Sequence, residues 1–200
     1  MAFVEVNEDM ENVRRLNQSK MTGKCMGLSC AWVVDIFRGR IKVGEEPDFH
    51  KGVYVQGLYE FNFMRQATPE VNNAGFFRSL TMLDKYDLKR EIESGKSRSI
   101  KIINKLSKAT GVVGVVACWS YRNAEDNKRS DLRYRSGGHA IGLIKQPGNG
   151  GIYLFDSNYG IYKWEQQGMP LDEEVKRYLL EKRIYGVHVW PNATMKVYKK

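Results

Sequence analysis

Residues 138–156 read Gly138-His139-Ala140-Ile141-Gly142-Leu143-Ile144-Lys145, then Gln146-Pro147-Gly148-Asn149-Gly150-Gly151, then Ile152-Tyr153-Leu154-Phe155-Asp156. Two short apolar runs flank six residues rich in Gly, Pro and Asn, the pattern of a β-hairpin and so of an antiparallel sheet. Upstream, Gly111 to Trp119 is short, apolar and β-branched, as a buried strand would be. Downstream, Ile161 to Trp164 continues the meander, a helix is expected over about 171–182, and Ile184 to Trp190 is expected as the last strand. The first half differs in character. Leu28, Ala31, Trp32, Val34 and Phe37 recur at steps of three and four, predicting a helix over 26–38 that stops at Arg38-Gly39-Arg40. Further helices are predicted over 57–66, about 74–91 and 97–109, the last with Ile100, Ile103 and Leu106 on one side. Helices first and antiparallel strands later predict an α+β fold. One domain over 1–200 is expected, with a helical lobe at about 20–110 and a sheet lobe at about 111–198.

Apolar residues make up 42% of the 200-residue chain and charged residues 28%, ordinary values for a globular protein and contrary to extensive disorder. The net charge is +9, spread from Arg14 to Lys200, which suits an anionic membrane surface or an acidic protein partner. No motif organises the aromatic and basic residues for specific nucleic-acid binding. The basic tract from Lys128 to Arg135 precedes His139 and reads as a solvated loop, with the lining of a substrate cleft as the alternative. No apolar stretch reaches the roughly 20 residues needed to span a bilayer, and no Sec-type signal peptide, myristoylation site or prenylation box is visible. Oligomeric state is not encoded in any pattern we recognise.

Cys25, Cys30 and Cys118 have neither disulfide-framework nor zinc-knuckle spacing, which points to a reducing compartment. The glycines at 148–151 are followed by strand rather than by Gly-Lys-Ser/Thr, so they form a turn and no phosphate loop. The expected chemistry calls for no metal or cofactor.

That chemistry rests on three residues. Cys25, in Gly23-Lys24-Cys25-Met26-Gly27-Leu28-Ser29, stands at the start of the first predicted helix, where the helix end favours thiolate over thiol. Gly23 and Gly27 leave space around the sulfur or serve a turn or close packing. His139 begins a strand, a rigid mount for a proton carrier. Asp156 follows it by 17 residues (156 − 139), and the hairpin returns its strand end beside His139, where a carboxylate would orient the imidazole. Alone, each residue has a structural explanation: a buried thiol, a core histidine, a turn aspartate bonded to the backbone after it. Together they supply a nucleophile, a base and a group that orients the base. His50, in a loop-like segment, and His188, in the terminal strand, have no comparable carboxylate and read as structural or surface residues.

The blocks Gly23-x-Cys25-x-Gly27-Leu28-Ser29-x-x-Trp32, Gly138-His139-Ala140-Ile141-Gly142-Leu143 and Phe155-Asp156-x-Asn158-Tyr159-Gly160 resemble the YopT/AvrPphB family of bacterial effector cysteine proteases. The spacing 139 − 25 = 114 is similar as well. The resemblance implies a papain-like fold, with a nucleophile helix packed against a C-terminal antiparallel sheet. It also implies Cys25 as nucleophile, His139 as general base and acid, and Asp156 as orienting carboxylate. Papain-like enzymes pair the cysteine N–H with an upstream side-chain amide in the oxyanion site, which here indicates Gln18, with Asn17 the other amide available. Family members are delivered by bacterial secretion systems and cleave host proteins, including small GTPases or kinases. The expected setting is therefore the host cytoplasm, with membranes a further place of action.

Two other functions use the same residues. A thioester intermediate also serves deamidation or transglutaminase-type acyl transfer, because a triad does not specify where the acyl group goes. A binding effector that kept the scaffold without turnover is the alternative outside enzymology, and the presence of all three residue types argues against it.

Overall fold

The structure is a computed structural model and describes residues 3–7, 10–11, 24–63, 76–78, 88–94, 96–121, 137–166, 168–181 and 193–199. In chain order its elements are β1 (Phe3–Asn7), α1 (Cys25–Phe37), α2 (Phe49–Phe63), β2 (Leu88–Ser94), α3 (Lys96–Ser107), β3 (Val113–Tyr121), β4 (Gly137–Lys145), β5 (Ile152–Asp156), β6 (Gly160–Trp164), α4 (Leu171–Glu181) and β7 (Ala193–Lys199). The strands form one sheet in the order β1-β6-β5-β4-β3-β7-β2, and every neighbouring pair is antiparallel. Helices and an antiparallel sheet are thus combined as the α+β reading expects.

The hairpin at 138–156 is the centre of this sheet. Lys145 pairs with Ile152 and Gly142 with Phe155, and the turn between them is closed by Gln146 N–H to Gly151 O at 2.9 Å and Gly150 N–H to Pro147 O at 3.1 Å. Gly148 (φ 58°) and Gly151 (φ 85°) take left-handed backbone, which explains glycine at both positions.

Strand side chains alternate between two buried faces. Val116, Cys118, Ala140, Ile144 and Phe155 pack with Leu28, Trp32, Val33 and Phe37 of α1 and Val55 of α2. Val115, Ala117, Ile141, Leu143 and Leu154 pack on the other face with Ile103 and Leu106 of α3 and Val175, Tyr178 and Leu179 of α4. Covering on both sides is why these strands read as continuous apolar runs.

Three expectations differ from the structure. Residues 88–91, expected as the end of a helix, belong to β2, which pairs with β7 from Leu88↔Lys199 to Ser94↔Ala193. Leu88 and Ile92 lie four apart, a step compatible with one helix face or one strand face, and pairing with β7 decides it. The second helix starts at Phe49 rather than Gly57 because Asp48 caps it: its Oδ1 accepts Lys51 N–H at 2.9 Å. His50 is accordingly in that helix's first turn. The sheet is also not confined to 111–198, since β1 and β2 enter from the first half. The strand expected over 184–190 lies outside the described residues.

Candidate active site

Cys25 is the first residue of α1 and is 9% exposed. Ser29 and Trp32 stand four and seven positions further, on the same helix stripe, and both anchor α1 to the central hairpin. Ser29 Oγ donates to the carbonyl of Ala140, the neighbour of His139, at 3.2 Å. Trp32 stacks on Phe155, the neighbour of Asp156, with centroids 5.4 Å apart and planes 18° apart. One face of α1 therefore sets Cys25 relative to both strands.

His139 on β4 and Asp156 at the end of β5 are buried, with 5% and 0% exposure. Nε2 of His139 lies 3.0 Å from Asp156 Oδ2. His139 also shares a side-chain hydrogen bond with Cys25, and because Nε2 is committed to Asp156, Nδ1 is the nitrogen left for the sulfur. The structure thus brings Cys25, His139 and Asp156 together in one hydrogen-bonded series.

Burial by itself pulls the imidazole pKa down. The charge and hydrogen bond of Asp156, followed by the hydrogen bond and charge of Cys25, more than offset this and raise His139 to about 10. The ring is cationic at neutral pH, poised to donate a proton.

Asp156 divides its two oxygens. Oδ1 accepts Asn158 N–H at 2.9 Å, and Oδ2 faces His139 while accepting Tyr178 O–H at 3.3 Å. The turn role and the histidine-orienting role read from the sequence are therefore compatible, one on each oxygen. Tyr178, from α4, is fully buried and packs edge-on against Phe3 at 5.7 Å and Tyr162 at 5.1 Å. Burial, then the Asp156 charge, raises its pKa, so it remains a hydrogen-bond donor. Sequence reasoning missed Tyr178: its spacing on α4 marks a core position, and nothing local distinguishes a buried tyrosine that bonds a carboxylate from one that only packs.

Gly27 serves close packing. A side chain there would strike the Gly52 carbonyl oxygen and lie 2.5 Å from the Gln56 backbone nitrogen, so α1 and α2 meet only because position 27 carries hydrogen. Through this contact α2 brings Gln56 to the start of α1, its Oε1 accepting Gly27 N–H at 2.9 Å. Tyr59 of α2 is close enough to the sulfurs that, after burial, the charges of Cys118 and Cys25 raise its pKa further. Cys30 and Cys118 are buried in the core, and burial followed by the Cys25 charge pushes the Cys30 thiol up.

Gln18, Asn17, Gly23, His188 and the basic tract at 128–135 lie outside the described residues. Among the described residues no helix is long and apolar enough to cross a membrane, and no group of three or more His, Cys, Asp or Glu residues is arranged to hold a metal ion.

No protein-family model matches the chain, and no curated protein matches it. Among solved structures it is similar to the crystal structure of the Pseudomonas avirulence protein AvrPphB, with 17% identity and a TM-score of 0.49 over 99% of this chain and 96% of that one.

Proposed function

We propose that the chain is a cysteine peptidase with Cys25 as nucleophile, His139 as general base and acid, and Asp156 as the carboxylate that orients and charges the imidazole. The observation that carries this reading is the hydrogen-bonded series from Cys25 through His139 to Asp156 Oδ2. With the His139 ring already protonated, Sγ attacks the peptide carbonyl carbon as the thiolate of a thiolate–imidazolium pair. The carbonyl oxygen takes the charge, with the Cys25 N–H at the helix start as one donor and Gln18 as the proposed second. His139 then gives its proton to the leaving amine as the C–N bond breaks, leaving a thioester. Water adds to the thioester, losing a proton to His139, and release of the acid restores the thiolate beside the protonated ring. Asp156 holds the ring orientation, with Tyr178 and Asn158 fixing the carboxylate.

The motif resemblance motivates a host intracellular protein as the substrate, reached through a bacterial secretion system. Adding wild type or Cys25→Ala to a host-cell lysate and mapping new protein N-termini tests both parts. Discrete new termini with the wild type alone are expected. A Cys25-dependent mass change on a lysate protein without chain cleavage would replace the peptidase by acyl transfer or deamidation.

A further inference from the structure

The start of α1 is held from outside the helix. The first N–H groups of a helix have no partner within it, and a short polar N-cap side chain ordinarily takes one near the third helical residue. Here the N-cap is Lys24, whose side chain makes no capping bond and whose backbone, at φ −94° and ψ 1°, is not in the extended region from which such a cap reaches. The third helical residue is Gly27, and its N–H donates to Oε1 of Gln56, 29 residues away on α2. Gln56 is 3% exposed. Its Nε2 donates to Glu60 Oε1 at 3.3 Å, and Lys24 Nζ reaches that same oxygen at 3.1 Å. Both the N-cap side chain and the Gly27 N–H are thereby tied to one stripe of α2.

We infer that Gln56 is a positioning residue for Cys25, supplying the capping bond that the Lys24 side chain does not make and holding the sulfur against His139. The inference rests on the reading of Cys25 as nucleophile. Cys25 precedes Gly27 by two residues, so a helix start that unwinds at Gly27 carries the sulfur with it. Gln56 touches no reacting atom, and its effect passes through the Gly27 N–H.

The test uses the full chain and iodoacetamide at neutral pH, with alkylation at each cysteine followed by peptide mass spectrometry. Cys30 and Cys118, 1% and 2% exposed, report whether the core remains closed. In Gln56→Met, which has similar length and no carbonyl acceptor, Cys25 alkylation is expected to slow by about two- to fivefold, the upper figure being the shift in the wound-to-unwound ratio that follows loss of an ordinary cap. Cys30 and Cys118 should stay as protected as in the wild type. The Gln56→Glu, Glu60→Gln double variant keeps an oxygen for the Gly27 N–H and a donor–acceptor pair between the two side chains, and is expected to remain within about twofold of the wild type. An unchanged Cys25 rate in Gln56→Met, or loss of protection at all three cysteines together, overturns the inference. A His139→Ala arm separates the two levels: a Cys25 rate indifferent to His139 removes the nucleophile reading, whereas dependence on His139 with indifference to Gln56 removes only the positioning role.

Discussion

Cys25→Ala is expected to lower peptide cleavage by at least about a thousandfold, His139→Ala by a similar factor, and the double variant no further. Groups that act as one unit lose their effect together. Without the sulfur there is no nucleophile; without the imidazole, the leaving amine loses its proton donor. The single changes should nonetheless differ in what they do to the fold. Cys25 is a small side chain at a helix start, and its removal leaves the Ser29–Ala140 bond and the Trp32–Phe155 stack in place. Cys25→Ala should also lower the titration midpoint of His139 below about 10, because it deletes two of the contributions that raise it, the hydrogen bond and the charge of Cys25. Ring-proton NMR reads that shift directly. Retained cleavage by a folded Cys25→Ala protein would sink the proposed function.

Asp156→Ala is expected to cost stability as well as activity, roughly 3–5 kcal/mol at pH values where His139 is charged, the usual cost of removing one partner of a buried ion pair. The carboxylate is fully buried and serves three donors, so its loss strands the His139 ring, the Tyr178 hydroxyl and the Asn158 N–H. The cost depends on pH with a definite sign. His139 is charged in the folded molecule up to about pH 10, compared with its ordinary 6.5. The stabilisation from its raised pKa is therefore full below 6.5 and is lost as pH rises through 10. The gap in urea-unfolding free energy between wild type and Asp156→Ala should accordingly narrow from neutral towards alkaline pH. A gap independent of pH would mean that packing, and not the His139 charge, accounts for the loss. Asp156→Asn keeps an oxygen for the Asn158 N–H, so it should unfold less readily than Asp156→Ala while sharing the fall in the His139 midpoint.

What the sequence made legible is what depends on near neighbours. The β4–β5 hairpin announces itself through Gly148, Gly151 and the apolar runs on either side, and it carries His139 and Asp156 with it. The stripe through Leu28, Trp32 and Phe37 identifies α1, and with it the place of Cys25. Leu88 and Ile92 defeated the same logic because their spacing suits either structure and β7, the strand that decides between them, is a century of residues away. Gln56 and Tyr178 were invisible for a related reason. One bonds a backbone N–H and the other bonds a carboxylate across the fold, and neither partner leaves a mark in the residues around them. Asp48 was legible in principle, as a capping residue, but Pro47 before it and Gly52 four residues after it made the segment resemble a loop.

The hairpin that joins β4 to β5 also divides the entropy of assembling the site unequally. His139 and Asp156 close a loop of 17 residues, whereas Cys25 and His139 close one of 139 − 25 = 114. With closure entropy growing as the logarithm of loop length, the second contact costs about 1.7 kcal/mol more than the first. The imidazole and its carboxylate are thus a nearly local product of the chain. The thiol is a long-range one, whose place must be secured by the bonds and stacking of α1 rather than by proximity along the chain.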